Sequence, residues 1–213
     1  PNVNQMAINL GIKTSLALNC SVSSYTKFDR KNYSYPDLMK GYQISQFDMP
    51  LATNGKLTIN SNNKEHVIRI NRLHLEEDVA KLIHKNDLKD SYSLLDINRS
   101  GIPLMEIVTE PDIDTPEEAR EYLIKLRSII KYLEVGTGNM EAGSFRCDAN
   151  ISLKRLNDKI LGTKVEIKNL NSLRSVYRSL KYEIDRQTDC LNSNTPIIQE
   201  TRGWLEDKSI TIS

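Results

Sequence analysis

Two neighbouring stretches decide the fold: Thr115-Pro-Glu-Glu-Ala-Arg-Glu-Tyr-Leu-Ile-Lys-Leu-Arg-Ser-Ile-Ile-Lys-Tyr-Leu-Glu-Val-Gly136, and Phe145-Arg-Cys-Asp-Ala-Asn-Ile-Ser-Leu153. The first opens with an N-cap threonine, a first-turn proline and a capping-box glutamate. Ala119, Tyr122, Leu123, Leu126, Ile129, Ile130 and Leu133 then recur at helical spacing, and Gly136 marks the expected end. In the second, Phe145, Cys147, Ala149, Ile151 and Leu153 alternate with polar residues, the period of a half-buried strand. A helix is thus followed at once by a one-sided strand.

Working outward, Val3 to Leu18 carries Met6, Ala7, Leu10, Ala17 and Leu18 at helical spacing, with Ile8 and Ile12 widening the stripe and Asn19 as a stop. Tyr25 to Gln46 has no lasting period and reads as an irregular loop. Leu57 to Arg72 reads as a hairpin turning at Ser61-Asn62-Asn63. Short strands are expected at Tyr92 to Ile97, Leu104 to Val108 and Lys164 to Lys168. A second helix is expected to bury Leu173, Val176, Tyr177, Leu180 and Ile184. Hairpin-joined strands interrupted by helices predict an α+β fold with a mainly antiparallel sheet and packed helices.

The composition narrows the class. In 213 residues, 27% are charged and 38% hydrophobic, which suits a globular chain rather than a disordered one. No run approaches the roughly 20 apolar residues needed to span a bilayer, so no membrane role is expected. The net charge is only +1, so RNA would have to be met by a local patch. Cys20, Cys147 and Cys190 are scattered, with no Cys-x-x-Cys pair, which argues against a zinc site or a disulfide framework. Heavy use of Asn and Lys fits an AT-rich genome, such as an organelle's. Pro1 is no initiator, and the chain reads as part of a longer protein.

No Gly-rich phosphate loop, Gly-x-Ser-x-Gly elbow or paired metal-binding histidines occur; His66, His74 and His84 stand apart. The unusual feature is acid within or beside apolar strands: Glu76-Glu77-Asp78, Glu106 within Pro103-Leu-Met-Glu-Ile-Val108, and the polar series Arg146, Asp148, Asn150, Glu166 and Lys168. Carboxylates beside cations on a sheet face are what magnesium–nucleotide chemistry requires, since Mg²⁺ takes carboxylate and phosphate oxygens. Each has a bland alternative. The Glu-Glu-Asp run can be a solvated turn, and Glu106 can form a structural pair with Arg99 or another cation. The polar series can be a wet strand face. Asp29-Arg-Lys-Asn-Tyr33 reads as a polar surface loop, with an RNA or nucleotide contact as the rival reading.

At these residues the chain resembles the B-subunit family of aspartyl/glutamyl-tRNA amidotransferases. The resemblance rests on Lys27-Phe-Asp-Arg-Lys-Asn-Tyr-Ser-Tyr-Pro-Asp37, Gly41-Tyr-Gln-Ile-Ser-Gln46, Arg72-Leu-His-Leu-Glu-Glu-Asp78, the Asp96–Asp112 stretch and Met140-Glu-Ala-Gly-Ser-Phe-Arg-Cys-Asp-Ala-Asn150. Glu166-Ile-Lys-Asn-Leu-Asn-Ser172, Tyr182-Glu-Ile-Asp-Arg-Gln187 and Gln199-Glu-Thr-Arg202 continue it. The blocks arrive in family order and cover nearly the whole chain.

The resemblance implies a glutamine-synthetase-like cradle spanning residues 1–213, lacking its N-terminal strand and the helical and tail domains that follow. It implies ATP- and Mg²⁺-dependent phosphorylation of the side-chain carboxylate of Glu-tRNA(Gln) or Asp-tRNA(Asn). Amidation would follow with ammonia from the A subunit, an amidase. A small C subunit would complete the heterotrimer, in a bacterial cytoplasm or an organelle matrix (mitochondrion or plastid). By motif position the resemblance makes Glu77 and Glu106 metal ligands, their remaining partners, a Glu and a His, lying on the missing strand. Glu141, Arg146, Asp148, Glu166 and Lys168 become catalytic candidates, and Arg30, Lys31, Arg146 and Lys168 nucleotide contacts. Ala142 stands where the family usually has a second Glu, and Met39 where it has Pro. The rival expectation is a non-catalytic scaffold that docks tRNA or the other subunits.

Overall fold

The computed structural model describes residues 3–86 and 91–213. The chain forms two compact units, one from Pro1–Leu57 and Val67–Asp112, the other from Thr58–His66 and Ile113–Ser213. Among the described residues there are two four-stranded sheets and three helices, and this mix of mainly antiparallel sheets with helices is the α+β class. Among the described residues no helix is long and apolar enough to cross a membrane.

The first unit opens with helix α1 (Gln5–Ala17), capped by the Asn4 side chain, which accepts from the Met6 N–H. Its sheet runs in the order β1 (Ser21–Val22), β4 (Ala52–Ser61), β5 (Lys64–Glu77) and β8 (Pro103–Thr109). The helix is where the sequence places it, but its buried line is Gly11, Thr14, Ser15 and Leu18, while Met6 is exposed. Close approach is the reason: a Cβ on Gly11 would lie 2.5 Å from Leu51 and 3.3 Å from Leu75. Small residues therefore face inward, and the Thr14 and Ser15 hydroxyls return hydrogen bonds to the carbonyls of Leu10 and Gly11. Asn62 and Asn63, both at positive φ, turn β4 into β5.

The expected irregular loop from Tyr25 to Gln46 instead holds a hairpin, β2 (Asp29–Asn32) paired with β3 (Tyr42–Ser45). A second two-stranded ribbon joins β6 (Lys81–Asn86) to β7 (Ser91–Asp96). The side chain of His84 lies outside the described part.

In the second unit, α2 (Pro116–Tyr132) starts as expected, with the Thr115 hydroxyl accepting from the Glu118 N–H. It ends earlier than Gly136: Leu133 is the C-cap and Glu134 takes the left-handed turn at φ 56°. The sheet order is β12 (Ile210–Ile212), β11 (Thr201–Leu205), β10 (Val165–Lys168) and β9 (Ala149–Ile151). β9 is shorter than the expected strand from Phe145 to Leu153, because only Ala149 to Ile151 find ladder partners on β10. β10 and β11 are parallel, joined across α3 (Leu173–Asn192).

α3 also turns a different line inward from the expected one. Val176, Ser179, Glu183 and Gln187 are fully buried or nearly so, whereas Tyr177, Leu180 and Ile184 are half-buried. A buried carboxylate needs charged and hydrogen-bonding partners. Glu183 has Arg186, Gln187, Thr211 and Arg202 around it.

Candidate functional sites on the two sheets

On the first sheet, β5 and β8 run antiparallel with His74 opposite Glu106. Strand alternation places Glu76 on the same face as His74, two residues along. The His74 Nε2 atom lies 3.7 Å from Glu76 and 3.6 Å from Glu106, and one donor atom from each of the three falls within 4.8 Å of the others. His74 is 4% exposed, whereas the Glu106 side chain is half open to solvent. The Nδ1 atom of His74 is buried without a hydrogen-bond partner among the described residues.

Burial opposes ionisation of Glu76, but the His74 imidazole, the Ser45 hydroxyl and the charge of Lys31 outweigh it and hold the carboxyl below its ordinary range. The cluster therefore offers ionised oxygen at neutral pH. Two carboxylates are the complement magnesium takes from a protein, and an imidazole widens the choice of divalent ion. The donor set fits such an ion.

Glu77 is placed differently from Glu106. One residue beyond Glu76, it falls on the other face of β5 by alternation. Its carboxylate accepts from the Ile44 N–H at 2.7 Å and pairs with Lys40. The structure thus brings Glu76, not Glu77, to Glu106, and adds His74, which stands apart from the other histidines in sequence. The alternation His74-x-Glu76 carries this information only once β5 is known to continue to Glu77 and to pair with β8. Arg99 lies 3.9 Å from Asp78, while Glu106 faces His74.

The β2–β3 hairpin carries the cations nominated as nucleotide contacts. Arg30 stacks 4.6 Å over Tyr42, and Lys31 lies 5.5 Å over Tyr33. The other strand reaches the acidic end of β5, since Ser45 donates to Glu76 at 3.2 Å and Gln43 donates to the Glu77 carbonyl at 2.7 Å. Arg30 and Lys31 are both exposed, and the charge of Lys31 is felt at Glu76.

On the second sheet, three of the nominated residues meet. Lys168 donates to Asp148 at 2.8 Å and lies 3.5 Å from Glu166. Burial would release the Lys168 proton, but the Asp148 hydrogen bond and the charges of Asp148 and Glu166 overcome it and hold the ammonium above its ordinary range. All three side chains remain partly in water, Asp148 the most. Arg146, two residues before Asp148, is exposed as well. Burial pushes the Cys147 thiol up to about 12, so it is protonated at neutral pH and a poor nucleophile.

Glu141 is exposed and lines a separate cleft of about 520 Å³ in this unit, with Asn169, Asn171, Ser172, Trp204 and Glu206 among its walls. The Glu206 carboxyl is held below its ordinary range by hydrogen bonds from the Trp204 indole and the Ser175 hydroxyl.

Fold and sites together define an α+β domain whose sheets display carboxylates interleaved with cations, on one sheet grouped about a buried imidazole. Residues 1–213 match the GatB/GatE catalytic domain throughout, and the chain belongs to that family. It is 57% identical to the B subunit of the aspartyl/glutamyl-tRNA(Asn/Gln) amidotransferase of Dehalococcoides mccartyi, 54% to that of Thermomicrobium roseum and 51% to that of Thermotoga maritima. Each similarity covers all of this chain, which spans 44–45% of the length of these relatives.

Proposed function

We propose that the chain is the catalytic portion of the B subunit of a glutamine-dependent tRNA amidotransferase. Its substrates would be ATP and the mischarged Glu-tRNA(Gln) or Asp-tRNA(Asn). Its partners would be the amidase, or A subunit, and the small C subunit. The identity of 51–57% along the whole chain to proteins named for this role supports the reading most directly. The relatives are bacterial, and charged tRNA is met in a bacterial cytoplasm or an organelle matrix.

The chemistry asks for two things. A free carboxylate is a poor electrophile, so its oxygen first attacks the γ-phosphorus of ATP, releasing ADP and leaving an acyl phosphate. Ammonia then displaces phosphate at the carbonyl carbon to give the amide. Phosphoryl transfer needs its developing negative charge neutralised and its reactants held in line.

Glu76 and Glu106 are the oxygen donors that would hold a magnesium ion, with His74 fixing their orientation. Bound there, the ion would neutralise phosphate charge. Glu77 stays a candidate ligand through its motif position, and its present bonds to Ile44 and Lys40 would have to be given up. Arg30 and Lys31 in the first unit, and Arg146 and Lys168 in the second, are the cations that motif position nominates for phosphate oxygens. Asp148 and Glu166 keep Lys168 charged for that role. Glu141, in its separate cleft, is carried as a catalytic candidate by its motif alone.

The test is Glu106→Gln in the complete amidotransferase. On this reading tRNA-dependent ATP hydrolysis falls about 100-fold or more, the order lost when one preorganised charge contact is removed. Hydrolysis at the full wild-type rate would overturn the assignment of Glu106 as a metal ligand.

A further inference from the structure

The Gln199-Glu-Thr-Arg202 motif lies outside the chemistry described so far, yet each face of its strand is tied down. In the parallel pair, Thr201 of β11 stands beside Glu166 of β10, and Gly203 beside Lys168. The backbone secures the pairing, with the Glu166 N–H donating to the Glu200 carbonyl at 3.0 Å. On one face the Thr201 hydroxyl donates to Oε2 of Glu166 at 2.8 Å. The other carboxylate oxygen, Oε1, is the one that lies 3.5 Å from the Lys168 ammonium. On the opposite face the Arg202 guanidinium donates to the hydroxyl and carbonyl of Thr211 and lies 3.2 Å from the buried Glu183.

We propose that Thr201 is a positioning residue for the Asp148–Lys168–Glu166 group, locking one oxygen of Glu166 so that the other stays with Lys168. This inference rests on the reading of that group, within the second unit, as one that faces phosphate. A glutamate on an open sheet face has three rotatable side-chain torsions and water to compete for it. With Oε2 held by a hydroxyl from a strand that is itself anchored through Arg202, the carboxylate has one orientation. The ammonium is then shared between Asp148 and Glu166 at a fixed place on the sheet. Placement of a charge within a fraction of an ångström is what phosphoryl transfer rewards.

The experiment compares Thr201→Val, Thr201→Ser and Glu166→Gln in the complete amidotransferase, measuring kcat and KM for ATP, the pH profile of kcat/KM and the thermal midpoint. Valine keeps the shape and loses the hydroxyl; serine restores it. Thr201→Val is expected to lower kcat about 10-fold, within the loss that small misplacements produce, with KM for ATP little changed. The alkaline limb of its pH profile moves to lower pH, because a Glu166 carboxylate no longer held in place supports the Lys168 ammonium less. Thr201→Ser recovers most of the rate, and neither variant shifts the thermal midpoint appreciably.

Wild-type kinetics for Thr201→Val alongside an impaired Glu166→Gln would overturn the role of Thr201 and leave the site reading intact. Equal losses in the valine and serine variants, accompanied by a lowered thermal midpoint, would also overturn it, because the residue would then be structural. Wild-type kinetics for Glu166→Gln itself would remove the site reading, and the inference with it.

Discussion

Glu183 on α3 and Arg202 on β11 lie 3.2 Å apart, and the carboxylate has no solvent exposure at all. The same carboxylate accepts from Arg186, Gln187 and Thr211. One buried acid therefore joins the helix to the last two strands of its sheet. Desolvation is the largest influence on it and disfavours the charge, so the arrangement holds only because every side of the carboxylate is occupied.

Glu183→Ala should destabilise the second unit by about 3 kcal/mol, the lower end of the range for removing one partner of a buried ion pair. Arg202 keeps Glu200 and Thr211, and Arg186 reaches solvent, so neither cation is left wholly stranded. Urea denaturation of the variant against wild type measures the difference. A change under about 0.5 kcal/mol, the range of ordinary surface substitutions, would show the network to be ornamental.

The same residue sets an acid limit. Against the opposing effect of burial, the bonds from Arg186, Thr211 and Gln187 depress its carboxyl, so the folded-state value lies below the unfolded one of about 4.3. Its stabilisation is complete above that value and is lost as pH falls through the folded one. Thermal midpoints recorded between pH 6 and pH 3 should drop more steeply for wild type than for Glu183→Gln, which cannot ionise.

Gly55 on β4 admits no side chain. A Cβ there would collide with the Cys20 sulfur and sit 2.9 Å from the Leu18 carbonyl oxygen and 3.2 Å from Ile70. Gly55→Ala should cost about 1–3 kcal/mol by overpacking. Adding Cys20→Ala should recover only part of that, since the Leu18 contact is backbone and cannot shrink. Full recovery in the double variant would place the whole conflict at the sulfur.

Thr115→Ala should weaken α2 by about 1 kcal/mol, the usual loss for an N-cap hydroxyl, and Thr115→Ser should keep most of it. Hydrogen exchange of the Glu118 amide reads the effect directly, because that N–H donates to the Thr115 side chain.

The parity of β5 separates two candidate ligands. Titration of Mn²⁺, followed by electron paramagnetic resonance, should show Glu76→Gln and Glu106→Gln each weakening the ion by about 10-fold or more, with Glu77→Gln having the smaller effect. Were Glu77→Gln the most damaging of the three, the ion would belong to the opposite face of the strand.

How much of this can be read from residues alone depends on whether local chemistry decides it. The start of α2 is legible because Thr115, Pro116 and Glu118 act within one turn. So is the β4–β5 turn, because consecutive asparagines tolerate positive φ. The β2–β3 hairpin is not legible: Asp29-Arg-Lys-Asn32 offers no apolar face, and its pairing is set by Tyr42 to Ser45, well along the chain. The inward faces of α1 and α3 depart from their apolar spacing, each for its own physical reason. Close packing selects Gly11 and Ser15 on one helix, and an ion network selects Glu183 on the other. At the acidic site, Glu106 stands out as a charge in an apolar strand, but choosing between Glu76 and Glu77 requires knowing that His74 lies opposite Glu106.

The parallel pairing of β10 and β11 has a bearing on how the protein is made. Glu166 and Thr201 are 35 residues apart in the chain, and bringing such distant points together costs about 3 kcal/mol of chain entropy before any contact returns it. A ribosome therefore releases Lys168 and Asp148 well before the strand that steadies their neighbour exists. The Asp148–Lys168–Glu166 cluster is thus among the last parts of its unit to gain all its contacts, and faults in α3 would be felt there while much of the rest still folds.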